Sequence, residues 1–205
     1  RARRGRMVAM NRKVVHKVFW AWGFEREERW LNDMAACGWN LVDTTGVRYV
    51  FEQGTPGEYR YKLELLENLP STAESERYLR FMEDAGIQQV AACGRWVYFR
   101  RRAEDGPFDL FSDLDSRIAH LRRIRTLLFT VIGVEVIAIM LQLVAFGHVD
   151  APAFKQAMGP VLSQGDARFL VIAAILLVLL VVMVAQTVRV ARRIDRLKKE
   201  RAIRE

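Results

Sequence analysis

The sequence predicts an α+β protein: a duplicated strand-helix-strand-strand domain followed by a two-helix transmembrane hairpin. Three observations lead there. Residues 28–38, E-R-W-L-N-D-M-A-A-C-G, recur as residues 76–86, E-R-Y-L-R-F-M-E-D-A-G, 48 positions on and without a gap. Glu28, Arg29, Leu31, Met34 and Gly38 match Glu76, Arg77, Leu79, Met82 and Gly86, with Trp30 opposite Tyr78; downstream, Val42, Gly46 and Phe51 match Val90, Gly94 and Phe99. A repeat of this kind decides architecture before any local signal does. Next, short runs around both copies alternate apolar and polar residues, the period of a half-buried strand. Finally, the runs 127–146 and 169–188 are apolar over the length of about 20 residues that a helix needs to cross hydrocarbon.

Taken in order, residues 1–11 are basic with no apolar core behind them, so they read as a disordered extension and not a secretory signal. The chain opens on Arg, and Met7 or Met10 is the expected natural start. From Arg12 to Trp22, Val14, Val15, Val18, Phe19 and Trp20 favour a strand. A helix follows over 24–37, where Leu31, Met34 and Ala35 share a face and Gly38 stands where a left-handed cap is needed. Runs 39–44 and 47–52 are strands joined through Thr45-Gly46, which closes module one at residue 53. Gly54-Thr55-Pro56-Gly57 is turn chemistry.

Module two spans 58–102. Tyr59, Tyr61, Leu63 and Leu65 alternate with Arg60, Lys62 and Glu64. Ser71 and Glu74 form the expected capping box of a helix carrying Tyr78, Leu79 and Met82, which ends at Gly86. A hairpin over 87–93 and 95–101 completes it. A module this small cannot bury its own helix and sheet, so the two are expected to share one core within a domain over 12–104.

Asp105-Gly106-Pro107 opens a linker and juxtamembrane helix over 105–125, capped by Asp113 or Asp115. Only Gly133 interrupts the helical pattern from 116 to 146, at a cost of about 1 kcal/mol, so one rod is expected to run into the first span, 126–146. A loop over 147–168, the second span over 169–188 and a basic tail over 189–205 follow. The net charge of +8 would raise nucleic acid as a partner, but its distribution points to topology. Arg122, Arg123 and Arg125 precede the first span; Arg189, Arg192 and Arg193 open the tail; the loop's charges cancel. The positive-inside rule places both termini in the cytoplasm and the loop outside. These arginines are expected to face anionic lipid, not nucleic acid. Cys37 and Cys93 stand at non-equivalent repeat positions and read as free thiols of a reducing compartment.

The runs E-R-W-L-N-D-M-A-A-C-G-W, R-Y-V-F-E-Q-G-T-P-G-E-Y, R-W-V-Y-F-R-R and F-S-D-L-D-S-R-I resemble the bacterial DUF2812 family over about 19–123. The family has no assigned activity, and its genes often lie beside those of PadR-like transcriptional regulators. The resemblance implies a regulatory setting and supplies no catalytic residues. The duplicated plan is also similar to the GyrI-like and SOUL ligand-binding folds, at fold level alone.

Candidate sites are of two kinds. Glu135 sits mid-span with Gln142 seven residues on, hence on the same helical face. An ionisable residue there costs a few kcal/mol on insertion scales, and it is read as an assembly contact with a second chain ahead of a simply protonated residue or a proton relay. Trp20, Trp22, Trp30, Trp39, Trp96 and Tyr98 are many aromatics for a small domain. If Tyr49, Phe51, Val97 and Phe99 face the helices, then Val50, Trp96 and Tyr98 face away, onto the other module, a dimer mate, or a ligand or partner surface. No metal is expected: Asp105, Asp109, Asp113 and Asp115 lack the terminal Glu and glycine pattern of a calcium loop. His16, His120 and His148 lie far apart, and no nucleophile set, phosphate loop or dinucleotide fingerprint is present. The expectation is a membrane-tethered regulatory module without enzymatic activity or cofactor. It would dock a PadR-like regulator or a second copy. The alternatives are a small-molecule-binding module and an accessory subunit of a transporter.

Overall fold

The computed structural model describes residues 11–111, 113–148 and 152–204, with side chains throughout except at 143–170 and 204. The expected extension over 1–11 lies almost wholly outside the described residues. The elements are β1 (Arg12–His16), a 3-10 turn (Ala21–Gly23), α1 (Phe24–Ala36), β2 (Trp39–Thr44), β3 (Arg48–Gln53), β4 (Tyr59–Leu65), α2 (Ala73–Asp84), β5 (Gln88–Cys93), β6 (Trp96–Arg102), a 3-10 turn (Ala103–Asp105), α3 (Leu114–His148) and α4 (Pro152–Arg204). The chain divides into two compact units at Arg123/Ile124.

The first unit holds two antiparallel three-stranded sheets of equivalent order, β1-β3-β2 and β4-β6-β5. The duplication extends to an irregularity. Register slips between Leu41 and Asp43 in β2 and between Gln89 and Ala91 in β5, so the residues skipped are Val42 and Val90, which match in the repeat. Gly38 and Gly86, one residue beyond each helix cap, have φ of 81° and 78°. That left-handed backbone is where a side chain is strained. Gly38 carries a second constraint, since a Cβ there would stand 3.0 Å from the Gly54 carbonyl oxygen.

Two cores follow from the alternation. Leu31 and Ala35 of α1 meet Leu41, Tyr49 and Phe51 of the first sheet and Tyr61, Leu63, Ala91 and Tyr98 of the second. Val97 and Phe99 point the other way, to Leu66 and to Leu79 and Met82 of α2. The second sheet is therefore buried on both faces, and α1 serves both modules. Full burial of a side chain such as Leu31 contributes about 1.5–3 kcal/mol.

Several boundaries differ from expectation. β1 ends at His16, not Trp22: the chain leaves the strand and enters a 3-10 turn whose preceding residue, Trp20, stacks on Trp22. The α2 cap is Thr72, whose hydroxyl accepts from the Ser75 N–H at 3.4 Å, in place of the Ser71 box. α3 is one helix as expected, opened by Asp113, whose carboxylate accepts from the Ser116 N–H at 2.6 Å. The expected loop over 147–168 is largely helical, since α4 starts at Pro152. Proline suits a first helical position, where its missing N–H costs nothing.

α3, which begins in the first unit, and α4 are long and apolar enough to cross a membrane over Leu114–Gln142 and Val171–Ile203. Most of the covered residues of α4 with described side chains, Ala173, Leu176, Leu180, Met183, Thr187, Val190, Ile194 and Leu197, recur at spacings of three and four, with Gln186 and Ala191 flanking them. Such a stripe is the seam of a helix packed side by side with a neighbour.

Candidate functional site

The polar chemistry of the first unit is concentrated on α1. Glu27 is buried, and its Oε1 accepts from the hydroxyls of Tyr49 and Tyr98, each at 2.7 Å. Burial pushes the Glu27 carboxyl above its ordinary range, against the lowering effect of the two hydroxyls, and it pushes both tyrosines up as well. The triad ties the helix of module one to a strand of each module.

One turn on, α1 closes a sheet edge. β4 pairs only with β6, leaving its other side open. There Asn32 donates to the Tyr61 carbonyl at 3.1 Å and accepts from the Tyr61 N–H at 2.9 Å, the exchange a neighbouring strand would make. Glu28 accepts from the Leu63 N–H at 2.9 Å and pairs with Lys62 at 3.1 Å. Its carboxyl too is raised by burial, partly offset by the Leu63 N–H and Lys62. The copies diverge here. Glu76, the match of Glu28, and Arg80, the match of Asn32, are exposed.

The start of α3 is held by side chains of the same unit. His120 lies almost wholly buried among Phe24, Trp96 and Phe111, with ring centroids at 5.0, 6.0 and 4.8 Å. Arg123 donates to Glu64 at 2.9 Å, and Glu64 also accepts from the Tyr78 hydroxyl at 2.7 Å. Two grooves flank these groups. One of about 560 Å³ is lined by Arg29, Asn32, Asp33, Arg60, Lys62 and Phe108, among others. Another of about 390 Å³ is lined by Glu64, Glu67, Glu74, Tyr78, Phe111 and Arg123, among others. Neither of these two grooves is lined by Glu27.

The sequence-derived candidates scatter. Trp30 packs edge-on against Tyr49 and Phe51 at 4.9 and 5.6 Å, with the Lys17 ammonium 4.6 Å above its ring. Trp39 carries Lys13 at 5.3 Å, and Trp20 stacks on Trp22 at 5.1 Å. Trp96 belongs to the His120 cage. Tyr98 lies on no surface: the first module covers it, and its hydroxyl is spent on Glu27. Arg123 is likewise not a lipid-facing arginine, because Glu64 engages it, while Arg122 is exposed and Arg125 half-buried. On α4, Arg189, Arg192 and Arg193 are exposed. Glu135 and Gln142 are both half-buried on α3, and Oε2 of Glu135 meets no hydrogen-bond partner among the described residues. The acidic residues of the linker are separately engaged: Asp105 with Arg101 at 3.9 Å, Asp109 with Arg117, and Asp113 as a cap. Among the described residues no group of three His, Cys, Asp or Glu side chains is placed to hold a metal ion.

Sequence reasoning missed Glu27, Asn32 and His120. For the first two a signal existed, since Glu27 stands opposite Ser75 and Asn32 opposite Arg80 in the repeat. His120 had none, because its cage gathers Phe24, Trp96 and Phe111 from three separate parts of the chain.

These features define a class: a duplicated α+β domain followed by two helices long and apolar enough for a membrane. Within that class, a family model described as "Protein of unknown function (DUF2812)" matches residues 23–132, just over half the chain, and the chain belongs to that family. No curated protein and no solved structure matches it.

Proposed function

We propose that the chain is a membrane-anchored regulatory module whose α+β domain docks a cytoplasmic partner. A PadR-like transcriptional regulator is the partner the family resemblance suggests. The observation that carries this reading is α3. Its first turns are fixed by the Asp113 cap, the His120 cage and the Arg123–Glu64 pair, and the same helix continues unbroken into an apolar stretch. A displacement along or about that helix must change the packing of His120 and Arg123, because a helix transmits motion as a rod. The arginines at 122, 123, 125, 189, 192 and 193 support a hairpin with both termini in the cytoplasm. Membrane retention of the regulator and its release on a signal is the form of regulation this arrangement serves. The test is co-sedimentation: membranes carrying the full chain should retain a co-expressed PadR-like regulator and release it on induction. A regulator that stays soluble under every inducing condition overturns the reading.

A second reading, a small-molecule-binding module, is favoured by the grooves of about 560 and 390 Å³, which fall in the size range of ligand sites. A compound that raises the melting temperature of the full chain, and loses that effect in Glu64→Gln or Arg60→Ala, would favour it.

A further inference from the structure

The two sheets present four edges. β2 and β5 lie alongside each other, with the Cys93 thiol bonded to the Thr45 carbonyl at 3.2 Å. The β4 edge is closed by Glu28 and Asn32. The edge of β1 is, among the described residues, the one left without a partner.

Its phase is fixed by two bonds, Lys17 N–H to the Val47 carbonyl at 2.9 Å and Gln53 N–H to the Asn11 carbonyl at 3.0 Å. Residues 11, 13, 15 and 17 thus turn their backbone to β3. By alternation, Arg12, Val14 and His16 turn theirs outward. Large apolar side chains stand exposed along this strand and just past it: Val14 at 47%, Val18 at 66%, Trp20 at 54%, and Val47, opposite Lys17, at 51%. The charge on the strand and at its end is of one sign. Arg12, Lys13 and Lys17 are cationic, Arg48 pairs with His16 in register, and Glu52 is already engaged by Arg12 at 2.7 Å.

An open edge is a template for a further strand unless something closes it. We propose that the β1 edge is a strand-addition site for an extended, acidic segment of a partner protein, a proposal that rests on the docking reading above. Main-chain bonds to Arg12, Val14 and His16 would supply the pairing, Val14 and Val47 an apolar contact, and the cations the preference for carboxylates. A second copy of this chain is disfavoured as occupant. Antiparallel self-pairing of β1 in the register that sets Val14 opposite His16 puts Lys13 of each copy opposite Lys17 of the other, and like charges across a ladder repel.

The test uses the full chain in detergent and a fluorescent peptide of about nine residues, a usual strand length, alternating glutamate and valine. Binding read by anisotropy should exceed that of the lysine–valine peptide. Val14→Pro removes an outward N–H while leaving the bonds of residues 13 and 15 to β3, and should weaken binding about tenfold or more. Lys13→Glu combined with Lys17→Glu keeps the backbone intact and should reverse the preference between the peptides, which keeps the test decisive should Val14→Pro not fold. Equal binding of both peptides, binding unaffected by either variant, or cross-linking of two copies through a cysteine at position 14 overturns the proposal. Loss of the peptide site with the regulator still retained on membranes sinks this inference and leaves the docking function standing.

Discussion

At the scale of single residues, Glu27 concentrates the most chemistry in the least space. Its carboxyl is raised by burial from an ordinary value of 4.5. A carboxyl with a raised folded-state value contributes stability that is fully present below its unfolded value and is lost as pH rises through the folded one. The full chain should therefore lose part of its thermal stability as pH climbs from about 4.5 toward neutrality, the ordinary carboxyl range marking where that loss begins. Glu27→Gln should reduce that loss, since an amide oxygen still accepts from the tyrosines and carries no charge. Melting temperatures of both proteins across that range check it, and parallel curves would contradict it. Glu27→Ala should instead cost about 2–3 kcal/mol in denaturant midpoint analysis, because the Tyr49 and Tyr98 hydroxyls are left buried without their acceptor.

At the scale of elements, the two helices began as copies and now do different work. α1 packs on both sheets and closes the β4 edge; α2 packs on one sheet and leaves Glu76 and Arg80 to solvent. Asn32→Ala should destabilise the fold by about 1–3 kcal/mol, since the Tyr61 N–H and carbonyl are left unpaired. It should also speed hydrogen exchange at the Tyr61 amide. Arg80→Ala, the equivalent change in α2, should stay within about 0.5 kcal/mol, as exposed substitutions do. Equal costs for the two would mean that the edge closure contributes nothing. Much of this level was legible from sequence. The strands of the second module alternate so regularly, and Gly38 and Gly86 end their helices so plainly, that element order followed directly. β1 was overextended because valines and aromatics favour a strand locally, whereas the Trp20–Trp22 stack depends on a turn that propensity does not encode.

At the scale of the whole molecule, the questions are topology and assembly. If both termini are cytoplasmic, a cysteine at position 155 should react with an impermeant maleimide in intact cells. One at position 199 should react only after lysis, in a background where Cys37 and Cys93 are replaced. Labelling of 199 from outside would reverse the orientation. Glu135 lies half-buried within an apolar helix, with Oε2 lacking a partner among the described residues. An intramembrane carboxyl seeks a polar partner, and a neighbouring chain can supply one. Glu135→Leu should then shift the detergent-solubilised protein toward a smaller species in light scattering; an unchanged mass excludes Glu135 as an assembly contact.

The sequence by itself determined the duplication, the helix stops, the one-piece α3 and the presence of two helices fit for a membrane. These rest on periodicity, on glycine's freedom at positive φ and on the length of apolar runs, all of which are local. The tertiary structure decided which aromatics are core and which are surface, that Tyr98 and Arg123 are committed inside the domain, and that α1 serves two sheets. It also decided that the edge of β4 is closed while that of β1, among the described residues, is not. Those outcomes depend on which face meets which across dozens of residues. A repeat in sequence cannot foretell them, because identical modules packed together necessarily occupy different environments.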